Sequence, residues 1–405
     1  MREQRVGRAS MVLLWAVGGL WAMAGPAAGE TKVTPSITLS ERYDSNVYFV
    51  QGKKVDDFVT VANPVARVDH DNHYLKGNMS AGAMATAYAQ NSGLNYVGAT
   101  GLVKLDLGQT TERLIHGWQL ELLDGFTYTP ETPAFLTTLS RGSEVPSSIV
   151  TGMQAARANS FSNRASVSSS LALSSVTSWQ VSYIHQYMRF GTAQANPVLG
   201  GFFNTTFQSL NTGPQWQVSQ DDTLSLTYQY IKTEFSRPGG FGGGFSTNGG
   251  MLGWTRILSP QLTASISLGL TVFASGEVQP IQSASIDWKS GQDEVVVRYS
   301  RSVMPSFYIA GVPLLSNMIQ ASMIHNVTRQ LDLGLLAGYA KNESVPSGIL
   351  EYNSFMYGPR ASYKMTENAT LSLSYAHYSF ETQFRSTAAS FNRDVVMLTF
   401  HGEWN

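Results

Sequence analysis

The chain has 405 residues, 27 Lys+Arg against 28 Asp+Glu for a net charge of -1, no cysteine, and 14% charged against 43% hydrophobic residues. Soluble domains carry about 25% charge, so the polar half of this chain is hydroxyl, amide and glycine. These figures exclude a basic nucleic-acid footprint, a disulfide framework or cysteine metal site, and a disordered chain.

In chain order, the first predicted element is an export signal. Arg2, Arg5 and Arg8 precede the apolar run Met11–Ala24, and Ala27, Ala28 and Gly29 supply small residues for cleavage. The run is too short to span the ~30 Å of a bilayer core as an anchor. Residues 1–29 are therefore assigned to a signal peptide and residues 30–405 to the mature domain.

From Thr31 onward the period is two. Leu224, Leu226, Tyr228 and Tyr230 alternate with Thr223, Ser225, Thr227 and Gln229. Leu262, Ala264, Ile266, Leu268 and Leu270 alternate with Thr263, Ser265, Ser267 and Gly269. Successive side chains of a strand point to opposite faces, so each segment has one apolar and one polar face. Eighteen such segments are predicted, from 34–43 to 391–404, and weak alternation at 246–257 and 314–327 puts the expected count at 16–18. Short connections such as Ser219–Asp221 and Ser290–Asp293 alternate with longer ones, the longest at 129–159.

Sandwich strands average ~5–6 residues and turn charge outward, whereas membrane strands need ~9–11 residues, period-two alternation, short periplasmic turns and long outer loops. The segments fit the second description. The expected fold is all-β: a closed, antiparallel, up-and-down transmembrane β-barrel of about 18 strands with periplasmic termini, in the outer membrane of a Gram-negative cell. Closure is required because an open edge in lipid leaves backbone groups unpaired. Trp118, Trp179, Trp216, Trp254, Trp288, Tyr363 and Trp404 are predicted at the short-turn girdle, and Tyr43, Tyr128, Tyr187, Tyr230, Phe273 and Tyr339 at the long-loop girdle. Pro64, Pro214 and Pro359 each precede a short turn and are expected at bulges, since proline donates no ladder hydrogen bond.

The opening Pro35-Ser36-Ile37-Thr38-Leu39-Ser40-Glu41-Arg42-Tyr43-Asp44-Ser45-Asn46-Val47-Tyr48-Phe49, followed by Asp56-Asp57-Phe58-Val59-Thr60-Val61-Ala62-Asn63-Pro64, resembles the first hairpin of β-barrel porin families encoded near exopolysaccharide and exosortase (PEP-CTERM-type) systems of Gram-negative bacteria. The match covers residues 35–68. It implies an outer-membrane barrel tied to polysaccharide export, with periplasmic export components as partners, and no catalytic residues. The last strand, ending Trp404-Asn405, resembles the assembly signal of outer-membrane barrels with its aromatic one place early, which implies the barrel-assembly machinery and membrane lipid as partners.

Eighteen strands leave an aqueous interior. The polar phase assigns Arg42, Arg67, Lys76, Lys104, Arg164, Arg298, Arg360, Lys364 and Arg393 inward, with Asp106, Asp287, Asp332 and Glu403. An excess of bases favours anions; cross-strand pairing with acids is the competing reading. The expected function is a porin for hydrophilic, anion-leaning solutes; the alternatives are an exopolysaccharide secretion barrel or an adhesin barrel with binding loops. No nucleic acid, metal or cofactor is expected, and a monomer is preferred. Catalysis is not expected. His185 and His377 fall on the outward phase, where a lipase site could sit, but no partner spacing is recognisable; His401 is paired with Glu403. Asp44-Ser45-Asn46 reads as an Asx turn, and the Gly-rich stretch 238–245 as a loop tip.

Overall fold

A computed structural model describes residues 29–48, 50–129, 159–191, 203–236, 242–306, 312–385 and 387–404. The predicted signal up to residue 28 and the body of the longest loop lie outside the described residues.

Period-two segments rich in β-branched and aromatic residues suit the pleat, and all eighteen form strands. They are β1 (Glu30–Asp44), β2 (Asp57–Asp71), β3 (Lys76–Tyr88), β4 (Tyr96–Asp106), β5 (Trp118–Thr129) and β6 (Ser160–Ala172). Then come β7 (Thr177–Phe190), β8 (Asn204–Gln217), β9 (Asp222–Ser236), β10 (Gly242–Ser259), β11 (Leu262–Phe273) and β12 (Val278–Ser290). The last six are β13 (Asp293–Pro305), β14 (Pro313–Asn326), β15 (Leu331–Ser344), β16 (Leu350–Lys364), β17 (Ala369–Phe384) and β18 (Thr387–Glu403). Each pairs antiparallel with its sequence neighbours, and β1 pairs with both β2 and β18, which closes the sheet.

The two weakly patterned segments are full members. Gly249, Gly250 and Gly253 thin the alternation of β10, and Leu314 and Met318 on the inward phase blur that of β14. Gly242–Gly244, expected in a loop tip, extend β10 against β9. The short connection after β4 holds α1 (Gly108–Leu114), anchored where Thr111 Oγ1 donates to the Trp118 carbonyl at 2.6 Å. Between β12 and β13 the turn is two residues, Gly291-Gln292, and Gly291 takes φ of +49°, a position that suits glycine.

The register sorts the faces. Leu39, Leu226, Leu252, Leu268, Leu335 and Leu398 share the outer face and are among the most exposed large apolar residues. Leu252 is 59% exposed, a position a soluble protein would fill with a polar group, whereas lipid solvates it. The tryptophans predicted for the short-turn girdle all follow this outer phase, as do Tyr43, Tyr128, Tyr187, Tyr230 and Tyr339. Phe273 does not. It is buried against Val303, Leu315, Val345 and Phe245, because the strand-end phase turns it away from the apolar face. A closed barrel with a lipid-facing apolar band and aromatic edges is an outer-membrane barrel.

The three prolines make no bulge. In each case pairing to the following strand lapses over two residues and resumes in the same register. At Asn63-Pro64 it lapses between the pairs Ala62↔Ala85 and Val65↔Gly82. At Gly213-Pro214 it lapses between Thr212↔Tyr228 and Gln215↔Ser225, and at Gly358-Pro359 between Tyr357↔His377 and Arg360↔Ser374. The other edge of each proline strand stays paired, at Pro64↔Ile37, Pro214↔Trp179 and Pro359↔Leu335.

Candidate channel lining

The inner face is built from the polar phase of every strand. Ser, Thr and Gln dominate it, and they bond across the ladders. Ser40 Oγ and Thr399 Oγ1 lie 3.0 Å apart, Ser362 Oγ and Ser372 Oγ 2.8 Å, and Gln180 Nε2 donates to Ser170 Oγ at 2.9 Å. Such groups hold water without imposing charge.

The register places Arg42, Arg67, Lys76, Lys104, Arg164, Arg298, Asp332, Arg360, Lys364 and Arg393 in phase with these hydroxyls. It does not gather them into one ring. Arg67, Lys76, Lys104, Asp332 and Lys364 lie toward the short-turn end, Arg298 and Arg360 near mid-wall, Arg164 higher, and Arg42 and Arg393 at the long-loop end.

Acids on the same face meet many of the bases. Arg67 Nε donates to Asp69 at 2.8 Å, and Lys104 Nζ lies 2.9 Å from Glu121. Lys76 lies 3.4 Å from Asp71 and Arg298 3.6 Å from Asp287. Arg42 lies 3.9 Å from Asp44, which is also bound by Arg393. Lys364 has no ion pair among the described residues. Asp44, Asp69, Asp71 and Glu121 are inward acids that the sequence reading left out. Strict continuation of the polar phase from Arg42 to Asp44, from Arg67 through Asp71 and from Gln119 to Glu121 finds all four. At the short-turn end Lys32, Asp69, Asp71, Lys76 and Asp106 border a cavity of about 420 Å³, a vestibule of mixed sign.

Toward the long-loop end the lining changes. Thr38 and Ser40 are partly exposed, whereas Arg42, Asp44 and, beyond the strand, Asn46 are buried. Ile231, Phe235, Leu314, Leu350, Tyr352, Phe380 and Phe391 are buried on the inward phase and form a collar spread over the upper third of their strands. Tyr352 stacks on Phe380 at 5.8 Å and Phe380 on Phe391 at 5.2 Å. A second group, Val47, Val59 and Tyr88, is buried where the first hairpin turns over. Thr233 Oγ1, Thr247 Oγ1 and both amide atoms of Asn342 are buried there with no hydrogen-bond partner among the described residues.

The histidines differ from expectation in their partners. His401 faces inward, but its Nδ1 lies 3.0 Å from Thr38 Oγ1 across the closing seam, not on Glu403. The Asx turn is present: Asp44 Oδ1 accepts the Asn46 N–H at 3.1 Å. Among the described residues no cluster of three potential metal ligands occurs.

No family model and no curated protein matches the sequence. Among solved structures, OccK1 (OpdK) of Pseudomonas aeruginosa is similar over 92% of this chain and 99% of its own, at 9% identity and a TM-score of 0.45. The siderophore receptor PirA of the same organism is similar over 92% and 81%, at 8% identity and a TM-score of 0.46. OccK8 (OprE), also of that organism, is similar over 93% and 98%, at 9% identity and a TM-score of 0.45.

Proposed function

We propose that the chain is an outer-membrane channel for hydrophilic solutes, narrowed at its long-loop end. The observation that carries this reading is the inner wall. An eighteen-strand barrel is wide enough for water, and its inward phase is hydroxyl and amide up to the buried aromatic collar. The collar is the narrow point. The ion pairs of the wall cancel most of its field, so charge selection is weak and leans toward anions only through bases such as Lys364.

A planar-bilayer recording tests this. Refolded protein is expected to give discrete current steps, with a small anion preference in a KCl gradient. The double variant Tyr352→Ala/Phe380→Ala is expected to raise the open current. Silence from both folded proteins overturns the channel reading.

A second reading, a barrel serving exopolysaccharide secretion with periplasmic export partners, is favoured by one feature. Below the collar the inner wall is hydroxyl and amide with its charges largely paired, a neutral polar surface along which sugars slide. Added neutral oligosaccharide is then expected to block the current from the periplasmic side. Unchanged current removes this reading.

A further inference from the structure

A second cluster of polar chemistry lies on the opposite face of the wall. His377 and Ser379 are two residues apart on β17 and share the outer, lipid-facing phase with Leu371 and Leu373. Across the β17/β18 ladder His377 stands opposite Asp394 and Ser379 opposite Asn392. His377 Nδ1 is 2.7 Å from Asp394 Oδ1, and Tyr375 Oη donates to the same oxygen at 2.7 Å. The Tyr357 ring lies 5.4 Å from the imidazole.

Ionisable groups on a lipid-facing surface are costly and point to function, with the partner as the clue. Here the carboxylate accepts the hydrogen bond of Nδ1–H, which leaves Nε2 as the ring's proton acceptor. Among the described residues neither Nε2 nor Ser379 Oγ makes a hydrogen bond. Two residues of strand rise, roughly 6.6 Å, separate their backbones, so the two side chains are neighbours on one face of the strand. The depth fits as well. Ser379 is eight residues above Leu371; with a strand tilt of 35–45° that is roughly 20 Å along the barrel axis, near the outer edge of an apolar band ~25 Å tall. Phe355 and Tyr357 flank it there at the level of the lipid headgroups.

Another His–Asp contact sharpens the point. His325 Nδ1 is also 2.7 Å from an aspartate, Asp293, at the short-turn end. The residues two places either side of His325 are Met323 and Val327, so that pair has no nucleophile on its face. Only the β17 pair, among the described residues, combines acid, base and hydroxyl.

We propose that Ser379, His377 and Asp394 form a serine esterase site that cleaves the acyl ester of a membrane lipid. Ser379 Oγ attacks the ester carbonyl carbon and its proton passes to His377 Nε2. Asp394 holds the tautomer and stabilises the imidazolium. The exposed Asn392 amide beside Ser379 donates to the developing oxyanion. The C–O bond to the lipid alcohol breaks and the alcohol leaves with the proton from His377. Water then attacks the acyl-serine, its proton returns through His377 to Ser379, and a fatty acid is released. This activity is separate from the channel reading, since the site faces lipid and uses no lining residue.

The test uses the full-length chain refolded in phosphatidylcholine vesicles and, in parallel, in vesicles bearing lipopolysaccharide. A fluorophosphonate probe followed by peptide mapping is expected to label Ser379, with fatty acid released over time. Release in the first vesicles identifies a glycerophospholipid ester; release in the second alone identifies the acyl ester of lipopolysaccharide. Ser379→Ala and His377→Asn are expected to abolish labelling, and Asp394→Asn to slow release by about 10⁴-fold, each with folded electrophoretic mobility retained. His325→Asn, which breaks the His–Asp pair at the short-turn end and leaves the triad untouched, is expected to retain labelling. Labelling that survives Ser379→Ala, or neither label nor fatty acid from the folded wild type, overturns the proposal whatever the conductance shows.

Discussion

At Asp44 one carboxylate performs two tasks. Its Oδ1 accepts the Asn46 N–H at 3.1 Å and the Arg393 Nε–H at 2.9 Å, and both side chains of the ion pair are 1% exposed. The pair spans the seam where the first strand meets the last. Breaking one partner of a buried pair leaves a charge without compensation, a loss of about 3–5 kcal/mol. Asp44→Asn is therefore expected to lower the unfolding midpoint in urea, read by loss of folded electrophoretic mobility. Thr60→Ala removes only an exposed hydrogen bond to Glu41 and is expected to leave the midpoint nearly unchanged. The sequence showed half of this site. Arg393 fell on the inward phase and Asp44 in a local turn, and both readings used neighbours within a few residues. The contact between them joins positions 349 apart, which periodicity cannot encode. The same limit hid the partner of His377: Asp394 lies opposite it only because β17 and β18 form a hairpin in that register.

Phase is the property of a single strand that decides most of the rest. Leu268 is 55% exposed on the outer face of β11, and its neighbour Ser267 faces inward. Leu268→Arg is expected to destabilise the barrel by about 2–4 kcal/mol, as arginine does at the bilayer midplane. Ser267→Arg, which points the same charge into the lumen, is expected to cost far less. Equal losses in urea titration would mean the register is wrong by one residue. Alternation is a strong signal in this chain because the lipid-facing side chains must be apolar, so the strands were legible even where glycine weakened them. The prolines were legible as irregularities but not as their kind. A proline fits a bulge and an in-register lapse equally well, and only the partner strand distinguishes them.

Taken whole, the molecule is a closed ladder with an aromatic collar inside and a polar cluster outside. Closure and strand order were legible, because short and long connections alternate and lipid permits no free edge. The balance of the lining was not, since its acids sit at strand ends where phase fades. The three proline lapses have a mechanical consequence. They fall at β2/β3, β8/β9 and β16/β17, so each divides one panel of wall from the next along a crease with fewer rungs. Amides bordering the creases, such as Val65 and Arg360, are expected to exchange hydrogen faster than mid-strand amides at the same depth, such as Leu268. A tube with creases ovalises under lateral pressure at those lines first, while its panels stay stiff. Thickness or tension of the surrounding bilayer would then be felt as a change in cross-section, and one of the three creases runs beside Tyr357 and His377.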